Sequence, residues 1–140
     1  MIEIFNYKND KELKLPLAQG IRAGFPSPAQ DYTQTGVDLN QELIKHPAST
    51  FYGRVTGKSM IDAGIDEGDI LVIDKSLQPC NGDMAVCFID GEFTLKYIEI
   101  VSPTEINLVP ANKDFPIIKV TPDNNFIVWG IVTYTIKKRR

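Results

Sequence analysis

From Phe51 to its end, this chain is a succession of short apolar runs, each closed by a turn signal after a handful of residues. The runs are Phe51 to Val55, Ile70 to Asp74, Met84 to Ile89, Glu92 to Glu99, Glu105 to Val109, Ile117 to Val120 and Phe126 to Ile136. Between them stand Glu67-Gly68-Asp69, Asn81-Gly82-Asp83, Asp90-Gly91 and Pro122-Asp123-Asn124-Asn125. Asp90-Gly91 between two apolar runs signals a two-residue hairpin. Spacing this close leaves little room for helix and predicts a compact, mostly-β domain of short twisted strands. One short helix is expected before it. Asp38 is a suitable N-cap, Leu39, Leu43 and Ile44 form an apolar stripe, and Pro47 stops it.

Residues 1–35 differ from the rest and are expected to form an extended N-terminal arm on a domain covering 36–140. Met1 to Phe5 suits a short strand. Beyond it Pro16, Gly20, Gly24, Pro26 and Pro28 are closely spaced, and proline restricts the residue before it, so Phe25 to Pro28 reads as extended. The last run, Phe126 to Ile136, is apolar on both faces. Strict alternation puts Phe126, Val128, Val132, Tyr134 and Ile136 on one side, with Ile127, Trp129 and Ile131 on the other. Either this strand is central and buried on both sides, or one face joins a second subunit.

The hydrophobic share of 43% is enough to build one core in 140 residues. A net charge of −3 argues against a DNA-binding surface, which needs concentrated positive charge. The basic end, Lys137-Lys138-Arg139-Arg140, reads as a solvated tail. Cys80 and Cys87 are too few for a disulfide framework and lack the further ligands of a zinc site, so no metal or cofactor is expected. No run approaches the ~20 apolar residues of a membrane helix, and Met1 to Asp10 lacks a signal-peptide core. The expected location is the cytoplasm.

Gly57-Lys58-Ser59-Met60 lies between two β-like stretches, and Lys96 lies in a later strand. A serine hydroxyl is a weak nucleophile until a base takes its proton. A lysine is that base when burial holds it neutral, and Phe93-Thr94-Leu95-Lys96-Tyr97-Ile98 offers an apolar strand for this. Alone, Ser59 would be an ordinary turn serine and Lys96 an edge-strand lysine. Gly57 permits a tight turn whose amides, around Lys58 and Ser59, suit an oxyanion hole. Thr94, two residues before Lys96, shares its face. It either orients the amine or is there for β propensity alone. His46, the sole histidine, follows the short helix and reads as a group capping its carbonyls.

These stretches resemble the LexA/UmuD family of self-cleaving serine–lysine peptidases, together with Gly64 to Asp74, Asp90 to Lys96, Leu108-Val109-Pro110-Ala111-Asn112 and Trp129-Gly130-Ile131-Val132. Gly24-Phe25-Pro26-Ser27-Pro28-Ala29, Asp31-Tyr32 and Asp38-Leu39-Asn40 resemble its UmuD-like branch, the mutagenesis proteins of the bacterial SOS response. The resemblance implies a LexA/UmuD-like peptidase fold with Ser59 as nucleophile and Lys96 as base. It further implies self-cleavage in the arm, at Ala23-Gly24, stimulated by RecA on single-stranded DNA. The processed homodimer would serve a UmuC-type translesion polymerase. A non-catalytic polymerase-binding regulator is the alternative. A LexA-like repressor would need a helix-turn-helix domain, for which the residues before Gly24 are too few. A signal peptidase, with its similar serine and lysine, would need a membrane anchor.

Overall fold

The structure, a computed structural model, describes residues 2–6, 13–16 and 36–140. The chain divides into two compact units. The smaller, Lys8–Lys45, holds a two-stranded pairing of β2 (Leu15–Pro16) with β3 (Gly36–Val37) and the short helix α1 (Leu39–Leu43). Asp38 caps α1 as expected, its carboxylate accepting from the Asn40 N–H at 3.0 Å. The expected stripe is only partly buried. Ile44 is buried just beyond the helix, whereas Leu39 is exposed. The helix ends at Leu43, and Pro47 instead opens a 3-10 turn, Pro47–Ser49, at whose start its missing N–H costs nothing.

The larger unit, Met1–Tyr7 with His46–Arg140, is built on one antiparallel sheet. Its strands are β1 (Ile2–Asn6), β4 (Thr50–Val55), β5 (Ile70–Asp74), β6 (Met84–Ile89), β7 (Glu92–Ser102), β8 (Glu105–Val109), β9 (Ile118–Val120) and β10 (Phe126–Ile136). Their order across the sheet is β1-β4-β5-β10-β6-β7-β8-β9. The hairpin expected at Asp90-Gly91 joins β6 to β7, with φ of 47° and 90° at its two turn residues. The fold is therefore mostly β, as the turn spacing predicts.

Strands β5 and β6 carry no polar alternation because the sheet is covered on both faces. Leu71, Ile73, Val86, Leu95, Val55 and Met60 pack into one core. Ala85, Cys87, Ile98, Leu108, Val120 and Ile131 pack into a second. Neighbours in sequence thus go to opposite cores, as the pleat requires. The sheet curls enough that Ile2 of edge strand β1 and Ile118 of edge strand β9 line the same cleft.

Strand β10 is central, yet it is not buried on both faces along its length. Gly130 and Ile131 are buried, while Ile127, Tyr134 and Ile136 are exposed. Its first half pairs with β6 and its second half with β5. The register shifts between Val128 and Gly130 and again between Val132 and Tyr134. An extra residue at a bulge inverts the alternation that follows it. Val128 and Ile131 consequently share one core, and Trp129 and Val132 share the other, contrary to the strict two-residue period.

At this bulge a side chain on Gly130 would place its Cβ 2.5 Å from Ile73 Cγ2. Ile73 is β-branched and fully buried, so that methyl has nowhere to swing. Gly130→Ala is expected to lower stability by about 1–3 kcal/mol through overpacking. Urea unfolding checks this, and an unchanged midpoint would contradict the close approach.

Candidate active site

The turn that carries Ser59 follows β4. Gly57 takes φ of 97°, a left-handed conformation that glycine adopts without a Cβ penalty. Its N–H donates to Glu67 Oε1 at 3.2 Å. Met60, next to Ser59, is buried in the first core and pins the turn from below. From the other side the segment after β8 reaches over. The Ala111 N–H donates to the Ser59 carbonyl at 2.9 Å, and the Asp62 N–H donates to the Ala111 carbonyl at 2.7 Å. The nucleophile candidate therefore stands on a turn anchored by a side chain beneath it and by backbone bonds beside it.

Lys96 lies on β7 opposite Ala85 of β6. Its side chain is buried, with 6% of the residue exposed. Its Nζ lies 3.1 Å from Ser59 Oγ, 2.7 Å from Thr94 Oγ1 and 3.1 Å from the Leu95 carbonyl oxygen. Among the described residues no carboxylate lies within ion-pair distance of it. Burial without a counter-charge lowers the pKa of the amine below its usual value, and the neighbouring Cys87 thiol opposes this only in part. Cys87, on the same face of β6, is itself pushed up to about 12 by burial. It is a packing thiol, not a reactive one.

The three partners of Nζ suit both protonation states. An ammonium donates to all three oxygens. A neutral amine donates two hydrogens, to Thr94 Oγ1 and the Leu95 carbonyl, and then presents its lone pair to Ser59 Oγ. Ser59, Lys96, Gly57, Lys58 and Thr94 all line one cleft of about 300 Å³, with Phe93, Phe115 and Ile118 on its apolar walls. Ala23 and Gly24 lie outside the described residues.

Two residues act differently from their sequence reading. His46 does not cap helix carbonyls. Its Nδ1 lies 2.5 Å from Asp74 Oδ2, and it is absent from the residues lining the Ser59 cleft. Burial raises the pKa of Asp74, but hydrogen bonds from Ser76 and His46 outweigh this and hold the carboxyl below its ordinary value. Lys137 is not part of a solvated tail. Its Nζ sits 2.6 Å from both Asp66 Oδ2 and Asp69 Oδ2, and hydrogen bonds to Asp66 and then Asp69 raise its pKa. This clamps the end of β10 to the segment that returns from the serine turn. The clamp needs carboxylates distant in sequence, so composition alone gave no sign of it. Asn112 also went unassigned in sequence. Its side chain reaches back to the serine turn, donating to the Lys58 carbonyl at 2.8 Å.

The burial of Lys96 has a measurable consequence. With its pKa lowered in the folded state, the unfolded chain binds more protons between that value and about 10.4. Stability therefore rises with pH across this window, at up to about 1.4 kcal/mol per pH unit. Urea unfolding of wild type and Lys96→Met over that range is expected to show the rise in wild type only. Parallel curves would mean that Lys96 keeps its ordinary pKa.

Comparison with known proteins places the chain in a family. The Peptidase S24-like family matches residues 16–133. Protein MucA of Salmonella typhimurium is 43% identical over 119 residues, 84% of this chain and 80% of the relative. Protein ImpA of the same organism is 39% identical over 132 residues, 94% of this chain and 89% of the relative. The LexA repressor of Stenotrophomonas maltophilia is 32% identical over 131 residues, 94% of this chain but 61% of that longer protein. A match over most of the chain, on a mostly-β sheet that brings Ser59 to Lys96, means that this protein belongs to the peptidase S24-like family and is of the serine-peptidase kind.

Proposed function

We propose that this protein cleaves its own N-terminal arm between Ala23 and Gly24, with Ser59 as nucleophile and Lys96 as general base. The observation that carries the reading is the buried Lys96 Nζ, 3.1 Å from Ser59 Oγ and without a carboxylate partner among the described residues. Ser59 Oγ attacks the Ala23 carbonyl carbon as its proton passes to neutral Nζ. The oxyanion so formed is held by amides of the turn around Lys58 and Ser59, whose tight geometry Gly57 permits. The intermediate collapses, the Ala23–Gly24 bond breaks, and Nζ returns the proton to the departing Gly24 amine. Water, deprotonated by the same amine, then releases the acyl group from Ser59. Thr94 orients Nζ throughout by accepting one of its hydrogens at 2.7 Å. Alanine before the bond suits a shallow cleft, and glycine after it lets the backbone approach closely.

The likeness to LexA/UmuD-type proteins supports a wider setting. RecA on single-stranded DNA promotes cleavage by favouring the arm conformation that enters the cleft. The processed chain acts in the cytoplasm as a homodimer that assists a UmuC-type translesion polymerase. Exposed Ile127, Tyr134 and Ile136 on β10 give such a dimer an apolar surface to cover.

Cleavage requires the neutral amine, so its rate is expected to climb with pH through the lowered pKa of Lys96 and then level off. Ser59→Ala and Lys96→Ala are each expected to slow it by about 10³-fold or more. Intact-mass spectrometry of the full chain at neutral and alkaline pH, with and without activated RecA filament, checks this. Release of residues 1–23 from wild type alone is the expected result. An uncut wild type under every condition would leave the polymerase-binding regulator as the better account.

A further inference from the structure

Ser59 is held by more than its own turn, and one of the holding groups is a side chain with no part in proton transfer. Asn112 Nδ2 donates to the Lys58 carbonyl at 2.8 Å. The orientation of that amide is fixed, because Asn112 Oδ1 accepts from the Asp114 N–H at 3.0 Å. The carbonyl of Lys58 and the N–H of Ser59 belong to one planar trans peptide, so they point in opposite directions. The carbonyl accepts this shorter bond and a longer one from the Ile61 N–H at 3.3 Å, and fixing it there fixes the Ser59 N–H toward the other side. The next peptide is fixed in the same way, since the Ala111 N–H donates to the Ser59 carbonyl. Among the described residues the Ser59 N–H donates to no protein acceptor. Gly57, at φ of 97°, leaves the turn free enough to need such bracing, because a glycine there permits other peptide orientations.

We infer that Asn112 is a positioning residue that sets the Lys58–Ser59 peptide so that the Ser59 N–H faces the developing oxyanion. The inference rests on the serine-peptidase reading above and adds to it a device for holding the oxyanion donor. Asn112 is not among the residues lining the cleft of Ser59 and Lys96; it acts through one peptide plane.

The decisive variant is Asn112→Asp. It keeps an oxygen for the Asp114 N–H but sets a carboxylate against the Lys58 carbonyl, so the brace becomes repulsive. Asn112→Ala, which removes both bonds, is the companion should the first fold poorly. Two rates are read on the full chain from neutral to alkaline pH. One is self-cleavage. The other is labelling of Ser59 by a small alkyl fluorophosphonate, followed by intact mass, which needs the oxyanion donor but not the arm. Both plateaus are expected to fall about 10²-fold, the scale of losing one oxyanion donor, while the pH midpoint set by Lys96 stays in place. Cleavage that falls while labelling holds would overturn the inference and assign Asn112 to docking of the arm. A moved pH midpoint, or no loss in either rate, would overturn it as well. A wild type that neither cleaves nor labels would bring down the serine-peptidase reading, and this inference with it.

Discussion

A buried lysine with no carboxylate partner among the described residues is the constraint on which the rest of this structure turns. Taking an ammonium out of water costs several kcal/mol unless something compensates. Here the compensation is three neutral oxygens, none of them a carboxylate. That arrangement tolerates the charge without stabilising it strongly. A carboxylate in the place of Thr94 would have held the proton on the amine and left little neutral base near neutral pH. A fully apolar pocket would have left the amine hydrogens unsatisfied. Neutral oxygens lie between these extremes and leave the protonation state open to small changes, such as the expulsion of water by an entering segment.

The sheet makes this environment by being covered on both sides. Leu95 and Lys96 are adjacent on β7, so they face opposite cores. Leu95 anchors the strand in the first core and leaves Lys96 on the face of Cys87 and Ile98, which belong to the second. The hydroxyl partner arrives from elsewhere, on a turn after β4 whose Met60 is seated in the first core. The apolar packing therefore places the polar pair. Neither Ser59 nor Lys96 needs a strong interaction of its own to stay in position.

Much of this was legible in the sequence. Strands β5, β6, β8 and β10 begin and end where their apolar runs do; Asp90-Gly91 closes β6, Pro110 follows β8 and Asn124-Asn125 precede β10. The meeting of Ser59 with Lys96 was legible from residue types and a resemblance, not from periodicity, since 37 residues separate them. What the sequence concealed has physical reasons. The bulges of β10 invert the alternation around Gly130, and a two-residue period cannot see an inserted residue. The pairing of His46 with Asp74 and of Lys137 with Asp66 and Asp69 depends on tertiary proximity, which local propensity does not encode. Asn112 enters the sequence reading only as the end of a stretch that resembles the family, because its partner is a backbone carbonyl, and every residue has one.

The order of strands adds a last step. Across the sheet β4 is second and β7 is sixth, so the serine turn and the lysine strand are not neighbours. In a flat sheet, four strand spacings of ~4.8 Å would keep them far apart. Their approach to 3.1 Å therefore requires the sheet to curl, and β10, which leaves β6 for β5 through two register shifts, lies between them. Bulges increase local twist, and Gly130 lets β5 come close at that point. The Gly130 bulge, outside the cleft that holds Ser59, is thus part of what sets the distance between the hydroxyl and the amine.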